Sequence, residues 1–440
     1  MARRRRRRAT VALRGARNSA RSGPVSLVAA VGTTAGLAAC GGASTGLEVR
    51  SDVDHEVVTV EATAAVPDAV NATTALGATL VAAGDATENR VISPASVAVA
   101  LAMLAEGARG ESATVLDGVL GAAGEDRTDA YNALQAAVLE YDGDPGSVDE
   151  DDLPERPLLH LANAVVVDQD RDVEGEYLDR LARAYGAGLR VADLSDASGK
   201  RVLDAWVRDH TGGRIPSSAI RPDPELVLVL QNAVLLAARW QDPFGPELTA
   251  DLPFTLVSGE QVPVQTMTQR MLAAYAELRG AQAVRLPYTE GFAMDVVLPP
   301  EGASPSLTAE DWDELGEALS GPVATDVLLH LPTLDVRTSA DLVPPLRDLG
   351  LGVLFSYPEA DLTGIAPDLF VGAVGHQATL TVDEEGTVAA ATTEVGVTAG
   401  SAPDPAEPVV MTVDRPFAVR IVHLGTGWPL FMGAIADPRG

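Results

Sequence analysis

The sequence predicts a mixed α/β protein of the α+β kind, built as one large domain. Three observations carry this. Of 440 residues, 46% are apolar, which is ample for a core, and no internal repeat divides the chain. Residues 69–83, and the run from Pro94 through Leu101, Met103 and Leu104, place small and apolar side chains at helical spacing. Against these stand the strand patterns. Residues 159–167 and 226–236 are almost unbroken apolar runs, and the stretch after Gly386 alternates with a period of two.

The N-terminus reads as a targeting segment. Arg3 to Arg8, Arg14, Arg17 and Arg21 form a basic region, followed by a modestly apolar run over 25–39. That run is shorter than the ~20 apolar residues of a spanning helix. It ends in Leu37-Ala38-Ala39-Cys40-Gly41, which resembles a bacterial lipobox, and Cys40 is the only cysteine. The expectation is a signal peptide over 1–39, lipidation of Cys40, a flexible tether over 40–67 and a single domain over 68–440. The protein would then be extracellular, held at the cell membrane only through its lipid or released. Gly42-Ala43-Ser44-Thr45-Gly46 fits a nucleophile-elbow pattern, but in a linker that pattern carries no chemistry. The net charge is −30, and residues 1–39 hold nine arginines and no acid, so the rest of the chain stands at −39. Such a surface repels nucleic acid and anionic membranes. With one cysteine there is no disulfide framework.

Along the domain, Ser93 before Pro94 is a sound helix start: a capping hydroxyl, then a residue with no amide hydrogen to satisfy. The acidic stretch 142–156 lacks the ligand spacing of a calcium loop and reads as solvated. In the apolar run 226–236 the interruption Gln231-Asn232 stands out, because a buried Asn must find hydrogen-bond partners or cost a few kcal/mol. Strands are expected around Phe254, Met267, Leu286, over 294–299 and over 328–334. A helix over 342–351 ends at Gly350, and its Pro344-Pro345 is tolerable only near the first turn. Among the histidines, His160 and His330 sit inside strand patterns as hydrogen-bonded core imidazoles. No metal-ligand spacing, phosphate-cradling loop or nucleophile with its base is present, so no catalytic residue, metal or cofactor is expected.

The stretch 382–400 organises the rest. From Thr387 in steps of two it reads Thr387, Ala389, Ala391, Thr393, Val395, Val397, all small or apolar and none charged. The other face carries Val388, Ala390, Thr392, Glu394 and Gly396. Its Ala, Gly and following prolines suit a segment able to be a strand without being obliged to be one.

Glu384-Glu385-Gly386-Thr387 with its Ala run, then Asp414-Arg415-Pro416-Phe417, Leu430-Phe431-Met432-Gly433 and Asp437-Pro438, resemble the signature of the serpin family. So do Asn89-Arg90-Val91-Ile92-Ser93-Pro94-Ala95-Ser96, Leu161-Ala162-Asn163-Ala164 and Leu203-Asp204-Ala205-Trp206-Val207. The resemblance runs from the first helix to the C-terminus. It implies the serpin fold, with a large central sheet, further sheets, surrounding helices and an exposed reactive-centre loop at about 384–408. It implies a monomeric suicide inhibitor of serine proteases rather than an enzyme. The protease cuts the loop and becomes acyl-linked to it, and the freed segment enters the central sheet as a strand. Glu384, Glu385, Gly386, Thr387, Val388, Ala389, Ala390 and Ala391 match the hinge. Ser93, Ser96, Asn232 and His376 match a polar latch beneath the sheet, and Trp240 a tryptophan at its top. Loop length places the cut at or beside the bond between Gly400 and Ser401. Only small residues precede it, so an elastase-like or subtilisin-like protease is the expected partner. Val388 stands where inhibitory relatives commonly have Glu. It is expected on the outward face, at the cost of slower insertion or lower solubility. The alternative is a non-inhibitory serpin acting as a cell-surface binding or structural protein.

Overall fold

The computed structural model describes residues 47–149, 152–321, 324–388 and 407–440. The elements that frame the site are, in chain order, strand β1 (Leu47–Val49), helix α1 (Val66–Ala82), helix α2 (Pro94–Ala105) and strands β2 (Leu158–Asp168) and β3 (Leu189–Ala192). Helix α3 (Ala197–His210) follows, then strands β4 (Leu228–Arg239), β5 (Leu334–Asp341), β6 (Ala373–Val382) and β7 (Gly386–Thr387). These seven strands form one sheet in the order β1-β3-β2-β4-β7-β6-β5. A second sheet of nine strands is organised around the long strand Gln261–Leu278 and runs through the C-terminal strands Phe417–His423 and Pro429–Ile435 to an edge at Arg90–Ile92. The mixture of helices and two large sheets is the α+β architecture that the patterns predict.

Alternation along β4 decides where the core lies. Leu228, Leu230, Val234, Leu236 and Ala238 face one side and join the main core with α1, α2 and the second sheet. Val229 and Ala233 face the other and pack under Val202, Leu203, Trp206 and Val207 of α3. Helix α2 is buried along its whole length, beneath the first side of the sheet. Its start is the one predicted, with Ser93 Oγ accepting a hydrogen bond from Ser96 N at 3.3 Å. The two prolines of the later helix (Val343–Asp348) sit in its first turn, and Gly350 with φ 90° ends it.

One expectation changes. Cys40 and the basic segment lie outside the described residues, but 47–67 is not a tether. Strand β1 pairs antiparallel with β3, Glu56 N donates to Arg183 O at 2.9 Å, Val58 N donates to Asn132 Oδ1 at 2.7 Å, and α1 begins at Val66. Backbone groups hold much of the segment, helped by Ser51 Oγ donating to Asp179 Oδ1 at 2.5 Å and by Val58 and Val60 packed against the core. His160 is hydrogen-bonded as expected, and at both ring nitrogens. Its Nδ1 contacts Asp142 Oδ1 at 2.8 Å and its Nε2 contacts His210 Nδ1 at 2.9 Å, joining β2 to the end of α3. No helix among the described residues is long and apolar enough to cross a membrane.

Candidate functional site

The site is the seam between β4 and β6. Along its lower part the two strands pair directly and in parallel, Val229 to Val234 against Ala373 to Ala378. At its upper end β7 lies between them, antiparallel to both. Gly386 pairs with Arg239, and Thr387 with Ala238 on one side and Val382 on the other. A short strand is thus already seated at the mouth of a closed seam.

Asn232 and His376 face one another across the closed part. His376 Nε2 accepts a hydrogen bond from Ser93 N at 3.1 Å, so Nδ1 carries the proton and donates to Asn232 Oδ1. Complete burial, with the Arg90 charge nearby, pushes the His376 pKa down to about 3, so the ring is neutral. Asn232 Nδ2 finds no partner among the described residues. The serines differ from the expected arrangement. Ser93 reaches His376 through its backbone, because its hydroxyl caps α2, and Ser96 Oγ donates instead to Asn163 Oδ1 at 3.1 Å. Asn163 pairs with Asn232 across β2 and β4, so the cluster ties α2 to three strands. Sequence reasoning passed over Asn163 as part of a strand match, although a lone Asn in an apolar strand carries the same signal as Asn232.

At the mouth, residues 383–386 turn the chain from β6 into β7. Trp240 Nε1 donates to Asp383 O at 2.9 Å and Trp240 N to Glu385 O at 2.8 Å, while Phe244 N donates to Glu384 O at 2.8 Å. The Trp240 ring stacks on Tyr288 with centroids 4.5 Å apart and planes 8° from parallel. Tyr288 OH in turn meets Thr387 Oγ1 at 2.5 Å, and burial holds the phenol well above its ordinary pKa. Thr249 Oγ1 donates to Glu384 Oε1 at 2.5 Å, and Glu385 Oε2 lies 3.9 Å from Arg239. Tyr288, Thr249 and Asp383 were not singled out in the sequence. Only Asp383, three residues before a glycine and between two strands, carries a turn signal.

Two hinge residues carry features that the sequence does not reveal. Gly386 has no left-handed backbone to accommodate. It is needed for close approach, since a Cβ there would fall 2.1 Å from Ala238 O and 2.9 Å from Leu153 Cδ1. Val388 is on the outward side, as expected, yet it is 2% exposed, packed with Leu153, Leu235 and Ala237. Its φ of 61° is costly for a β-branched residue, and there the chain leaves the sheet. Ala389, Ala390, Ala391, Gly400 and Ser401 lie outside the described residues. No group of three or more His, Cys, Asp or Glu among the described residues is arranged to hold a metal.

The comparisons agree with this geometry. The family model "Serpin (serine protease inhibitor)" matches residues 71–438. The bovine leukocyte elastase inhibitor is 32% identical over 368 residues, covering 80% of this chain and 93% of that protein. A serine protease inhibitor of Cyanea capillata is 30% identical over 371 residues, covering 80% and 93%. Among solved structures, the thermophilic serpin tengpin in its native state superposes with a TM-score of 0.75 at 24% identity, covering 88% and 97%. Thyroxine-binding globulin with thyroxine superposes with a TM-score of 0.70 at 22% identity, covering 84% and 99%. These two share the fold. With the family model spanning most of its length and relatives at 30% identity or more over four-fifths of it, the chain belongs to the serpin family.

Proposed function

We propose that this serpin is a suicide inhibitor of serine proteases, cut at or beside the bond between Gly400 and Ser401 and trapping the acyl-enzyme by loop insertion. One observation carries the reading: Gly386 and Thr387 already sit as a strand at the mouth of the β4–β6 seam. Their register, extended down the seam, pairs each incoming residue with one residue of β4 and one of β6. By that count Thr393 arrives between Asn232 and His376, the same two residues that close the seam now. Inserted there, its hydroxyl would be available to accept from His376 Nδ1–H and donate to Asn232 Oδ1, so the latch could open without orphaning either group. The inward positions Thr387, Ala389, Ala391, Thr393, Val395 and Val397 bring no charge into the core, where an unpaired one costs several kcal/mol. Insertion adds a backbone ladder on both edges and releases the left-handed strain at Val388, worth roughly 1–2 kcal/mol.

Small residues before the cut favour an elastase-like or subtilisin-like target, and elastase inhibitors among the relatives support this. The basic N-terminus, the lipobox pattern and Cys40 support export with a lipid anchor. Metabolic labelling with a fatty acid, lost in Cys40→Ser, tests that. Thyroxine-binding globulin among the fold neighbours keeps a binding protein as the second reading. The deciding experiment incubates the protein with both protease types and weighs the released C-terminal peptide. A denaturant-resistant complex and a fragment beginning at or beside Ser401 are expected. Clean cleavage with no complex and no gain in thermal stability would hand the case to the binding-protein reading.

A further inference from the structure

The turn between β6 and β7 is already a complete hairpin. Asp383 N donates to Gly386 O at 3.0 Å, and Val388 N donates to Thr381 O at 2.8 Å. The Asp383 side chain supports the turn from within, its Oδ1 accepting from Glu385 N at 2.9 Å and Gly386 N at 3.2 Å. All three carbonyls from 383 to 385 are held by Trp240 and Phe244 on the far wall, so the turn is fixed relative to β4 as well as β6. Asp383 Oδ2 is buried with no partner among the described residues.

We infer that Asp383 is the positioning residue of loop insertion: it holds the turn 383–386 in the geometry an inserted strand requires, so insertion lengthens an existing hairpin instead of starting one. This rests on the reading of the loop as an inserting strand. Loop closure and the ordering of four residues are the slow, entropically opposed part of hairpin formation. A trap that races deacylation gains most by completing that part before the cut. Asp supplies what the turn needs, an acceptor that reaches the amides two and three residues ahead. Thr387 and Gly386 follow directly and are seated by the same contacts.

The carboxyl also gives the turn a signature. It shares the turn with Glu384 and Glu385. Asp251 and Asp335 line the cavity beside it together with Arg439, and Arg239 of β4 faces Glu385. Burial, reinforced by the charges of Glu384 and Glu385 and opposed by the two amide bonds, raises its pKa to about 7. A proton on Oδ2 leaves Oδ1 free to go on accepting both amides, so the protonated turn is intact. The folded turn keeps its proton to about pH 7 whereas an unfolded Asp loses it near 3.8. Turn stability therefore falls as pH rises from 4 to 7 and is level above that.

The test uses the full-length protein, Asp383→Ala and Asp383→Asn, with an elastase-like protease. Three quantities are read: the rate of loop cleavage, the ratio of trapped complex to cleaved free serpin, and tryptophan fluorescence against pH. Asp383→Ala should be cut at the wild-type rate but lose about tenfold to a hundredfold in the trapped ratio. Asp383→Asn keeps the acceptor oxygen, so it should trap within about twofold of wild type. Because Trp240 is bonded to Asp383 O, the wild type should show a fluorescence transition near pH 7 that Asp383→Asn lacks. Wild-type trapping by Asp383→Ala, or an Asp383→Asn as impaired as Asp383→Ala with no change in the fluorescence profile, would overturn the role of Asp383 alone. A wild type that is cut but never trapped would instead remove the inhibitory reading, and this inference with it.

Discussion

Replacing Thr387 by Arg is the most direct probe of the seam. Thr387 is 1% exposed, clasped between Ala238 and Val382, and its hydroxyl meets Tyr288 OH at 2.5 Å. Arginine removes that bond and leaves the buried phenol, stacked on Trp240, without its partner, a loss of about 1–3 kcal/mol. The guanidinium must also be taken into the core side of the sheet, where an unpaired charge costs several kcal/mol more. The total is about 5 kcal/mol against seating residue 387, whereas the lower seam, Val229 to Val234 on Ala373 to Ala378, is untouched and keeps the protein folded. If half of that is felt in the transition state for insertion, insertion slows roughly a hundredfold and deacylation wins. In a denaturing gel with an elastase-like protease, Thr387→Arg should run almost wholly as cleaved serpin, with the same C-terminal fragment as wild type and at the same rate of cutting. A variant that still accumulates complex in wild-type yield would refute the claim that residue 387 must enter the sheet.

Three further outcomes follow from the same geometry. Gly386→Ala puts a methyl 2.1 Å from Ala238 O, so β7 should be pushed out of the seam; the trapped ratio falls and the near-ultraviolet signal of the Trp240–Tyr288 stack changes. Asp295→Asn breaks a buried charge cluster in the second sheet, where Arg285 Nε donates to Oδ1 at 2.6 Å and Arg420 Nη2 to Oδ2 at 2.7 Å; a loss of about 3–5 kcal/mol in denaturant unfolding is expected. His376 stays neutral in the fold down to about pH 3, while in the unfolded chain it takes up a proton near 6.5. The His376 contribution to stability is therefore full above pH 6.5 and is lost as pH falls toward 3, opposite in sign to that of Asp383, so the stability difference between wild type and His376→Asn in urea melts should change as pH falls below 6.5.

How much of this was legible depends on whether a residue's role is local or set by a distant neighbour. The strands at 158–168 and 228–239 announce themselves by apolar runs, and the Ser93 cap and the Pro344-Pro345 helix start by rules acting over a few residues. Residues 47–67 read as a tether because much of their order comes from backbone hydrogen bonds to partners about 75 to 145 positions away, and the few apolar side chains that pack, Val58 and Val60 among them, form no regular period. Gly386 matches the hinge in the sequence, and the structure adds what its position alone does not reveal: a carbonyl of β4 excludes a side chain there. Val388 shows the same limit from the other side, since alternation gave its face and could not reveal Leu153 lying over it.

The latch makes the point most sharply. Asn232 reads as an unpaid polar group in one strand and His376 as an isolated histidine in another, and nothing local says they touch. The family resemblance groups them in one latch, and the parallel register of β4 on β6 sets them opposite one another, with the short β7 seated above them. On the proposed inhibitory reading, a seam of two strands that pair directly at one end and admit a third at the other would have two self-consistent arrangements, related by a single register. Trapping would then rest less on any one side chain than on that degeneracy. Asn232, whose amide hydrogens have no partner among the described residues, and Gly386, with no Cβ, are the residues at the seam that would leave neither arrangement blocked.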